Sequence, residues 1–340
     1  MSENRQIVLN SRPSGTPVPG NFRIAEGSRP SPGPGEMLVR NLYFSMEPAT
    51  RGWLDDNDKN YFEPLKIGEA IRSIAMGEVV ASNNPNFAVG DIVRGLLAWE
   101  EYSIATDETI LLEKMAIRRG VPPSYYLGAL GGSGETAYVG LHQIGRIQPG
   151  ETVVISAATG GVGHIAGQVA RLHGCRTIGL VGSAEKARIA REELGYDVTI
   201  NYREQPDLVA ALRETCPEGV DVYFDSVGGT TLDAMLQSMK MMGRIVCCGM
   251  IASYNQSDDP PPILNIWQIV ARQIEMKGFL LYSYADHIPE ALRTLEGWVQ
   301  SGQLKVLENK RVGLEQTPNL FCELMAGRTT GKSLVELELA

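Results

Sequence analysis

The feature that most constrains the fold lies between residues 150 and 281, where short apolar runs alternate with segments whose apolar residues recur every three or four positions. The runs predict buried strands, and the segments between them predict amphipathic helices. Such alternation is typical of an α/β domain with a doubly wound parallel sheet, because each helix carries the chain back across the sheet. The six predicted strands cover residues 152–156, 176–181, 197–200, 220–225, 244–249 and 275–281.

The chain on either side of this region has a different pattern. In the first 130 residues, short runs of strand-forming residues such as 37–43 and 91–93 are separated by turns rich in proline and glycine, which predicts a mostly β domain. The tail is expected to form a helix, a strand, a helix and a final strand at 288–300, 304–307, 314–325 and 333–339.

Six strands already complete the doubly wound sheet, so we expect the tail to return to the β-rich domain. The predicted domains are then residues 1–131, completed by 302–340, and residues 132–301.

Charge and composition argue against several functions. The net charge of −9, from 31 basic and 40 acidic residues, gives no overall basic field for binding phosphate chains, so nucleic acid is not an expected partner. The start of the chain has no apolar signal segment, and the most apolar long window, 153–170, is interrupted by glycines. We therefore expect neither secretion nor a membrane span. Five cysteines without disulfide or metal-ligand spacing suit a reducing cytoplasm.

A glycine-rich turn is the strongest local signal. The predicted strand 152–156 leads into Ala157-Ala158-Thr159-Gly160-Gly161-Val162-Gly163, which opens an apolar-faced helix. Small residues allow the backbone to approach a pyrophosphate, whose charge then meets N–H groups and the positive end of the helix. This strand–turn–helix context predicts a dinucleotide site.

The end of the next predicted strand bears on which dinucleotide binds. An acidic residue there would bind a ribose 2′-hydroxyl and repel a 2′-phosphate. This chain instead has Gly182 and Ser183, with Lys186 one helical turn on. The pattern favours NADPH over NADH, with Lys186 as an ordinary solvated helix residue the alternative.

Other chemistries lack their residues. The four histidines, His142, His164, His173 and His287, have no cysteine or glutamate neighbour at ligand spacing, so no metal site is expected. His164 and His173 fall on the helix after the glycine turn, where we expect surface or capping positions. No tyrosine precedes a lysine by four residues, and residues 131–134 lack the second glycine of a Gly-x-Ser-x-Gly elbow.

Several motifs in order give the chain a family resemblance. They are residues 40–48 with 51–52, Thr136-Ala137-Tyr138, residues 157–163, Gly182-Ser183 with Glu185-Lys186, Asn201-Tyr202, residues 224–229, residues 248–255 and Gly331-Lys332. With these motifs the chain resembles, over nearly its whole length, the zinc-independent medium-chain dehydrogenases/reductases. Within them it is most similar to the branch of prostaglandin, curcumin and alkenal double-bond reductases.

The resemblance implies a GroES-like catalytic domain made from both chain ends, a central Rossmann domain, and NADPH in the cleft between them. It implies that Gly160, Gly161, Val162 and Gly163 hold the pyrophosphate, Lys186 the 2′-phosphate and Tyr202 the adenosine side. The nicotinamide end would be lined by Cys248, Gly249, Met250, Ile251, Tyr254, Phe279, Leu280 and Leu281. The further implied cofactor-binding residues are Thr136, Gly182, Ser183, Ser226 and Thr329.

The expected reaction is NADPH-dependent reduction of the C=C bond of α,β-unsaturated ketones and aldehydes, because a conjugated acceptor takes hydride at its β carbon without a metal or lysine acid. Tyr254 is the candidate catalytic residue, as ribose ligand and proton donor, with a purely pocket-lining role as the alternative. The alternative functions are an NADPH quinone reductase and a catalytically silent NADPH-binding protein. We also expect a homodimer, because 275–281 is a candidate exposed sheet edge.

Four positions depart from the family pattern. Ala49 stands where relatives have tyrosine, Ser226 and Thr329 stand for asparagines, and Glu135 adds a carboxylate after the Gly131-Gly132-Ser133-Gly134 segment. Ala49 and Glu135 are expected on the substrate side, where they would enlarge the pocket and add a negative charge. The alternative for Glu135 is a helix cap or a solvent-facing position.

Overall fold

The computed structural model describes residues 3–56, 62–255 and 262–338. Its strands are β1 (Glu3–Leu9), β2 (Phe22–Ser28), β3 (Met37–Ser45), β4 (Arg72–Ser82), β5 (Ile92–Ala98), β6 (Tyr102–Ala105), β7 (Glu113–Lys114), β8 (Thr152–Ile155), β9 (Arg176–Val181), β10 (Val198–Asn201), β11 (Val220–Asp225), β12 (Met239–Cys247), β13 (Glu275–Gly278), β14 (Glu308–Val312) and β15 (Lys332–Glu336). Its helices are α1 (Gly132–Val139), α2 (Gly163–Leu172), α3 (Ala184–Arg188), α4 (Leu208–Thr215), α5 (Gly229–Leu236), α6 (Ile251–Tyr254), α7 (Trp267–Ala271), α8 (Ile288–Gln300) and α9 (Thr317–Met325).

A β-rich unit is formed by Met1–Leu127 and Glu308–Ala340. Its main sheet has the order β14-β15-β3-β4-β5-β7, with β6 also paired to β3, and β1 pairs with β2 in a separate sheet. Aromatic rings from distant parts of the chain meet in its core. The ring centroids of Trp99 and Phe22 lie 5.5 and 6.0 Å from that of Phe321 on α9.

The two ends of the chain meet inside this β-rich unit. β15 runs antiparallel to β3, with Leu334 opposite Ser45. The buried Lys332 Nζ lies 2.6 Å from Glu47 Oε1, to which the Ser45 hydroxyl also donates a hydrogen bond of 2.6 Å. The free-energy cost of removing the Lys332 charge from water is offset by this charged hydrogen bond. The contact therefore fixes the register of β15 against β3.

The tail differs from the sequence prediction at one strand. The strand predicted at 304–307 is wrong: Leu304 is buried, and its N–H donates to Trp298 O at 3.0 Å. The strand that does form in this region is β14, which begins directly after residue 307. Its residues are half-buried or exposed. The apolar Leu304 therefore marks packing against the preceding helix rather than a strand. Leu339, at the end of the last predicted strand, lies outside the described residues.

An α/β unit is formed by Gly128–Leu307. Its parallel sheet has the order β10-β9-β8-β11-β12-β13, so the doubly wound sheet predicted from the alternation is confirmed. From β8 the chain builds outward to β10 on one side, and from β11 to β13 on the other. The crevice outside the carboxyl ends of β8 and β11 is where such sheets bind ligands.

β13 is an open edge of this sheet. Among the residues that the structure describes it pairs with β12 on one side only, and all four of its residues are exposed. The strand predicted at 275–281 ends at Gly278 because the chain turns into a 3-10 segment that begins at Leu281.

Candidate functional site

The glycine turn lies at the carboxyl end of β8, at the point where the strand order reverses. A Cβ on Gly163 would lie 2.2 Å from the carbonyl oxygen of Ala157, and one on Gly160 would lie 3.1 Å from the same atom. The Gly160 N–H donates to that oxygen at 2.8 Å. The turn therefore folds back on itself so closely that only glycine fits at Gly163. The His164 N–H donates to Gly160 O, and the Ile165 and Ala166 N–H groups donate to Val162 O, so what α2 presents to an anion at this turn is the positive end of its dipole.

Tyr196 supports the turn from the domain interior. Its hydroxyl donates to Gly163 O at 2.7 Å and lies 3.3 Å from Ala158 O. A Cβ on Gly167 would lie 2.1 Å from the tyrosine ring, so the absence of a side chain there makes room for it. Burial raises the pKa of Tyr196, so its hydroxyl keeps the proton that it donates to Gly163 O.

The two histidines of α2 have different environments. The surface position expected for His164 is wrong: the side chain is fully buried, and its Nδ1 lies 2.9 Å from Gly160 O. The imidazole therefore contacts the glycine turn from the domain interior. His173 is half-buried at the C-cap of α2, which agrees with the expected capping position.

Four of the predicted residues, Gly182, Ser183, Lys186 and Tyr202, lie on the loops and the short helix that follow β9 and β10. The Gly182 Cβ position lies 2.9 Å from Tyr202 Oη, because β10 runs beside β9 and the Tyr202 N–H donates to Val181 O at 3.1 Å. Ser183 caps α3 by accepting a hydrogen bond of 3.2 Å from the Lys186 N–H. This loop thus brings the side chains of Lys186 and Tyr202 to one end of the sheet.

Arg203 is a neighbour that the sequence analysis missed. Its Nε lies 3.4 Å from the Gly182 Cβ position, which the Tyr202 hydroxyl also approaches. The only sequence signal for it is a cation directly after Tyr202.

Asp225 organises the carboxyl end of β11. Its Oδ1 accepts hydrogen bonds from the Tyr223 hydroxyl at 2.8 Å and from the N–H groups of Val227 and Gly228 at 2.9 Å. Burial raises the pKa of this carboxyl, and these hydrogen bonds oppose the rise. The network fixes the chain direction at Ser226, whose own N–H donates to Ser156 Oγ at 2.8 Å.

The loop after β12 is held against Ser226. The Cys248 and Gly249 N–H groups donate to Asp225 O at 2.8 and 3.1 Å, and the Ile251 N–H donates to Ser226 O at 3.2 Å. Burial raises the pKa of the Cys248 thiol to about 12, with the Ser226 hydroxyl acting in the opposite direction. The predicted residues Ser226, Cys248, Gly249 and Ile251 are therefore neighbours.

Tyr254 lies at the end of α6, folded back on this loop. Its hydroxyl oxygen accepts a hydrogen bond of 3.3 Å from the Met250 N–H and lies 3.3 Å from the Gly249 Cβ position. Burial raises its pKa, so the phenol stays protonated at neutral pH. Because the oxygen already accepts a hydrogen bond, the O–H group is the part of the side chain that can donate a hydrogen bond to a ligand.

The predicted segment Phe279, Leu280 and Leu281 follows β13. Phe279 is half-buried, and its Cζ lies 3.0 Å from the Gly140 Cβ position, so its ring packs partly into the domain interior. Leu280 is 41% exposed.

The remaining predicted residues lie on other elements. Thr136 is half-buried on α1, in the α/β unit, and Thr329 is buried between α9 and β15, in the β-rich unit. Glu135, beside Thr136, is only 4% exposed, so its solvent-facing alternative is wrong.

Comparisons with known proteins agree with this architecture. A family model described as the N-terminal domain of oxidoreductase matches residues 5–112, and one described as zinc-binding dehydrogenase matches residues 161–297. The chain is 38% identical to the NADPH-dependent curcumin reductase of Escherichia coli strain K12, over 98% of this chain and 97% of that protein. It is 36% identical to the NADP(+)-dependent 2-alkenal reductase of Nicotiana tabacum, with coverage of 98% and 97%.

The chain belongs to the zinc-independent medium-chain dehydrogenases/reductases. A crystal structure of CurA from Vibrio vulnificus in complex with NADPH superimposes with a TM-score of 0.92 at 36% identity, covering 99% of this chain and 100% of that one. The expected family and its fold, a GroES-like domain and a Rossmann domain, are thereby confirmed.

Among residues 3–56, 62–255 and 262–338, no three His, Cys, Asp or Glu side chains come together as a metal site would require. In the same ranges no helix has both the length and the apolar character needed to cross a membrane.

Proposed function

We propose that this member of the family is an NADPH-dependent reductase of the C=C bond in α,β-unsaturated ketones and aldehydes. The observation that carries the proposal is the Gly160–Gly163 turn at the sheet's switch point, in a chain more than one-third identical to curcumin and 2-alkenal reductases. A turn with no space for a Cβ at Gly163 fits a pyrophosphate, and the cation of Lys186 fits the 2′-phosphate.

In the proposed site, NADPH supplies the hydride when bound. This chain's residues bind and orient: Gly160–Gly163 at the pyrophosphate, Lys186 and Tyr202 at the adenosine ribose, and the Cys248–Tyr254 loop at the nicotinamide end. The other cofactor contacts are proposed at Thr136, Gly182, Ser183, Ser226, Phe279, Leu280, Leu281 and Thr329.

Tyr254 is the proposed catalytic residue. Its hydroxyl keeps its proton because burial raises its pKa, and the Met250 N–H fixes the oxygen. A donor held in this way can stabilise negative charge on the oxygen of a conjugated carbonyl without reorganising. Tyr254 or water then returns a proton to the α carbon.

The functional division of the chain is proposed to follow the predicted limits, 1–131 with 302–340 for the catalytic domain and 132–301 for the NADPH domain. We place the reaction in the reducing cytoplasm, which suits five cysteines that are all free thiols.

A substrate panel tests the proposal. Oxidation of NADPH, followed by its absorbance, is expected with aliphatic enones and alkenals at rates above those with quinones. Faster turnover of quinones would make the protein a quinone reductase. NADPH binding without consumption on any conjugated carbonyl would make it a silent binding protein, and either result overturns the proposal.

We also propose a homodimer that pairs the open edge β13 with its copy. β13 reads Glu275-Met276-Lys277-Gly278, so antiparallel pairing centred on Met276 would set each Glu275, which also pairs with Arg146 of its own chain, opposite a Lys277 of the second copy. In the helix that precedes it along the chain, α7, Trp267 and Val270 are 67% and 63% exposed. An unpaired edge with adjoining apolar side chains and self-complementary charge favours a second copy as its cover.

Light scattering after size exclusion tests this dimer. Met276→Asp is expected to yield monomers, because it places two carboxylates at the two-fold axis. Val89→Asp, at a 65% exposed position in the β-rich unit, is the matched control and should remain dimeric. A wild-type monomer, or a dimeric Met276→Asp variant, contradicts the proposed interface.

A further inference from the structure

Helix α2 connects the glycine turn to the last residues of the α/β unit. Gln168, a buried residue of α2, donates from Nε2 to Lys305 O at 2.9 Å and accepts a hydrogen bond of 2.8 Å from the Lys305 N–H at Oε1. Lys305 lies 137 residues further along the chain, shortly before the α/β unit ends at Leu307. One side chain therefore pairs with both backbone groups of Lys305 and attaches this segment to α2.

The same side chain is bonded to the first turn of α2. Gln168 Nε2 also donates to His164 O at 2.7 Å. His164 in turn donates to Gly160 O from its backbone N–H at 3.0 Å and from Nδ1 at 2.9 Å, because a carbonyl oxygen can only accept. A continuous series of hydrogen bonds thus runs from the Gly160 carbonyl through His164 and Gln168 to Lys305.

Burial links the glycine turn to the contact at Lys305. Gln168 is 2% exposed and His164 is fully buried, so water does not replace their hydrogen bonds when these break. If the turn opens and the start of α2 moves with it, His164 O leaves Gln168 Nε2, and the amide loses one of its partners. A ligand that holds the turn closed therefore also stabilises the pairing of Gln168 with Lys305.

We propose that Gln168 is a positioning residue for the cofactor, which couples occupation of the Gly160–Gly163 turn to the attachment of Lys305 at the end of the α/β unit. This inference rests on the proposed binding of NADPH at that turn. Coupling between two sites is reciprocal. NADPH should therefore strengthen the Lys305 contact by the same factor by which that contact strengthens NADPH binding.

Hydrogen exchange on the wild-type chain tests the coupling. The exchange rate of the Lys305 amide is measured by NMR with and without saturating NADPH, under conditions where exchange reports the equilibrium of local opening. We expect NADPH to slow this exchange at least about fivefold, the lower end of the usual range for coupled sites. The neighbouring Leu304 N–H donates to Trp298 O at 3.0 Å and is the internal control, because its partner lies on α8.

The two amides separate coupling from a general effect of the ligand. The Leu304 amide should be slowed much less than the Lys305 amide. Equal slowing of both would mean that NADPH stabilises the α/β unit as a whole, and it would overturn the inference. Unchanged exchange at Lys305 would overturn it as well.

A variant tests the reverse direction of the coupling. Gln168→Met keeps a side chain of similar volume but removes the amide, so its affinity for NADPH in calorimetry should fall by the factor measured for Lys305 exchange. Gln300→Met, at an exposed position at the end of α8, is the matched control and should bind NADPH as the wild type does. Wild-type affinity in a folded Gln168→Met contradicts the inference. If thermal unfolding shows that this variant is not folded, the wild-type exchange measurement decides alone.

The inference and the proposed function fail in different ways. A wild type that binds NADPH without slower exchange at Lys305 retains the proposed cofactor, and only the role of Gln168 is lost. A wild type that does not bind NADPH in calorimetry defeats the proposed function itself.

Discussion

At the scale of single residues, the hydroxyl of Tyr254 carries most of the proposed chemistry. The Met250 N–H donates to its oxygen at 3.3 Å, and burial raises its pKa. A half-buried phenol held at its oxygen is a hydrogen-bond donor rather than a base. Its proposed contribution is therefore to the oxygen of the substrate as negative charge grows there.

We predict that Tyr254→Phe lowers turnover on an enone at least about tenfold, or about 1.4 kcal/mol. The ring is retained, so the loss should appear mainly in kcat, with a smaller change in NADPH affinity. Steady-state rates and calorimetry measure the two quantities. Tyr282→Phe, which removes a hydroxyl from a 69% exposed ring, is the matched control, and an unchanged rate in Tyr254→Phe would remove this residue from the mechanism.

Sequence reasoning at this scale finds residues whose chemistry is local. Gly163 and Ser183 follow from the strand–turn–helix pattern, because their surroundings are set by a few neighbours along the chain. His164 and Arg203 do not follow from it, because their environments depend on packing. His164 is buried against its own turn, and Arg203 reaches Gly182 only because β10 lies beside β9.

At the scale of elements, the glycine turn between β8 and α2 has no space for a side chain at Gly163. We predict that Gly163→Ala weakens NADPH binding at least about tenfold, because a Cβ would lie 2.2 Å from Ala157 O and must push the turn open. Calorimetric titration measures the effect.

Gly297→Ala is the control for this change, since no atom lies within 4 Å of that Cβ position on α8. It should bind NADPH normally and be stabilised by up to about 1 kcal/mol, because glycine in a helix interior is unfavourable. Wild-type affinity in Gly163→Ala would mean that the turn does not hold the pyrophosphate.

The helical segment that follows α1 gives a pH-dependent prediction. His142 stacks on Tyr138 at 4.1 Å, and burial lowers its pKa. A base with a lower pKa when folded binds fewer protons than the unfolded chain, so its contribution to stability is lost as pH falls below the unfolded value of about 6.5. The free energy of unfolding should therefore decrease from pH 7 to about pH 5.5 less steeply in His142→Gln than in the wild type. Urea unfolding at both values measures this, and equal slopes contradict it.

Elements with a strong periodic pattern are predictable, and those without one are not. The α8 helix has the predicted limits, and five strands of the parallel sheet follow from apolar runs. The sixth, β13, consists of the exposed residues Glu275–Gly278, and only the apolar residues 279–281 beyond its end indicate it. β14 has no such run because its residues are largely exposed on an outer strand. The apolar pattern of the sequence therefore predicts a strand at the neighbouring buried Leu304 rather than at β14.

At the scale of the whole molecule, the chain returns to its starting unit after completing the α/β unit. β15 pairs with β3, and Lys332 forms its ion pair with Glu47. No periodicity near residue 332 specifies that partner. The return of the chain to the β-rich unit is predictable only because six strands already complete the parallel sheet. Function is less accessible than fold, because the substrate class is proposed from relatives whereas the cofactor turn follows from geometry.

The most direct test of the central claim follows the transferred hydrogen. An aliphatic enone is reduced with NADPH that carries deuterium at its transferable position, and the product is analysed by NMR and mass spectrometry. The proposed function predicts a saturated ketone with one deuterium on the β carbon and a solvent hydrogen on the α carbon. An allylic alcohol with deuterium on the former carbonyl carbon, or a product without label, would contradict it.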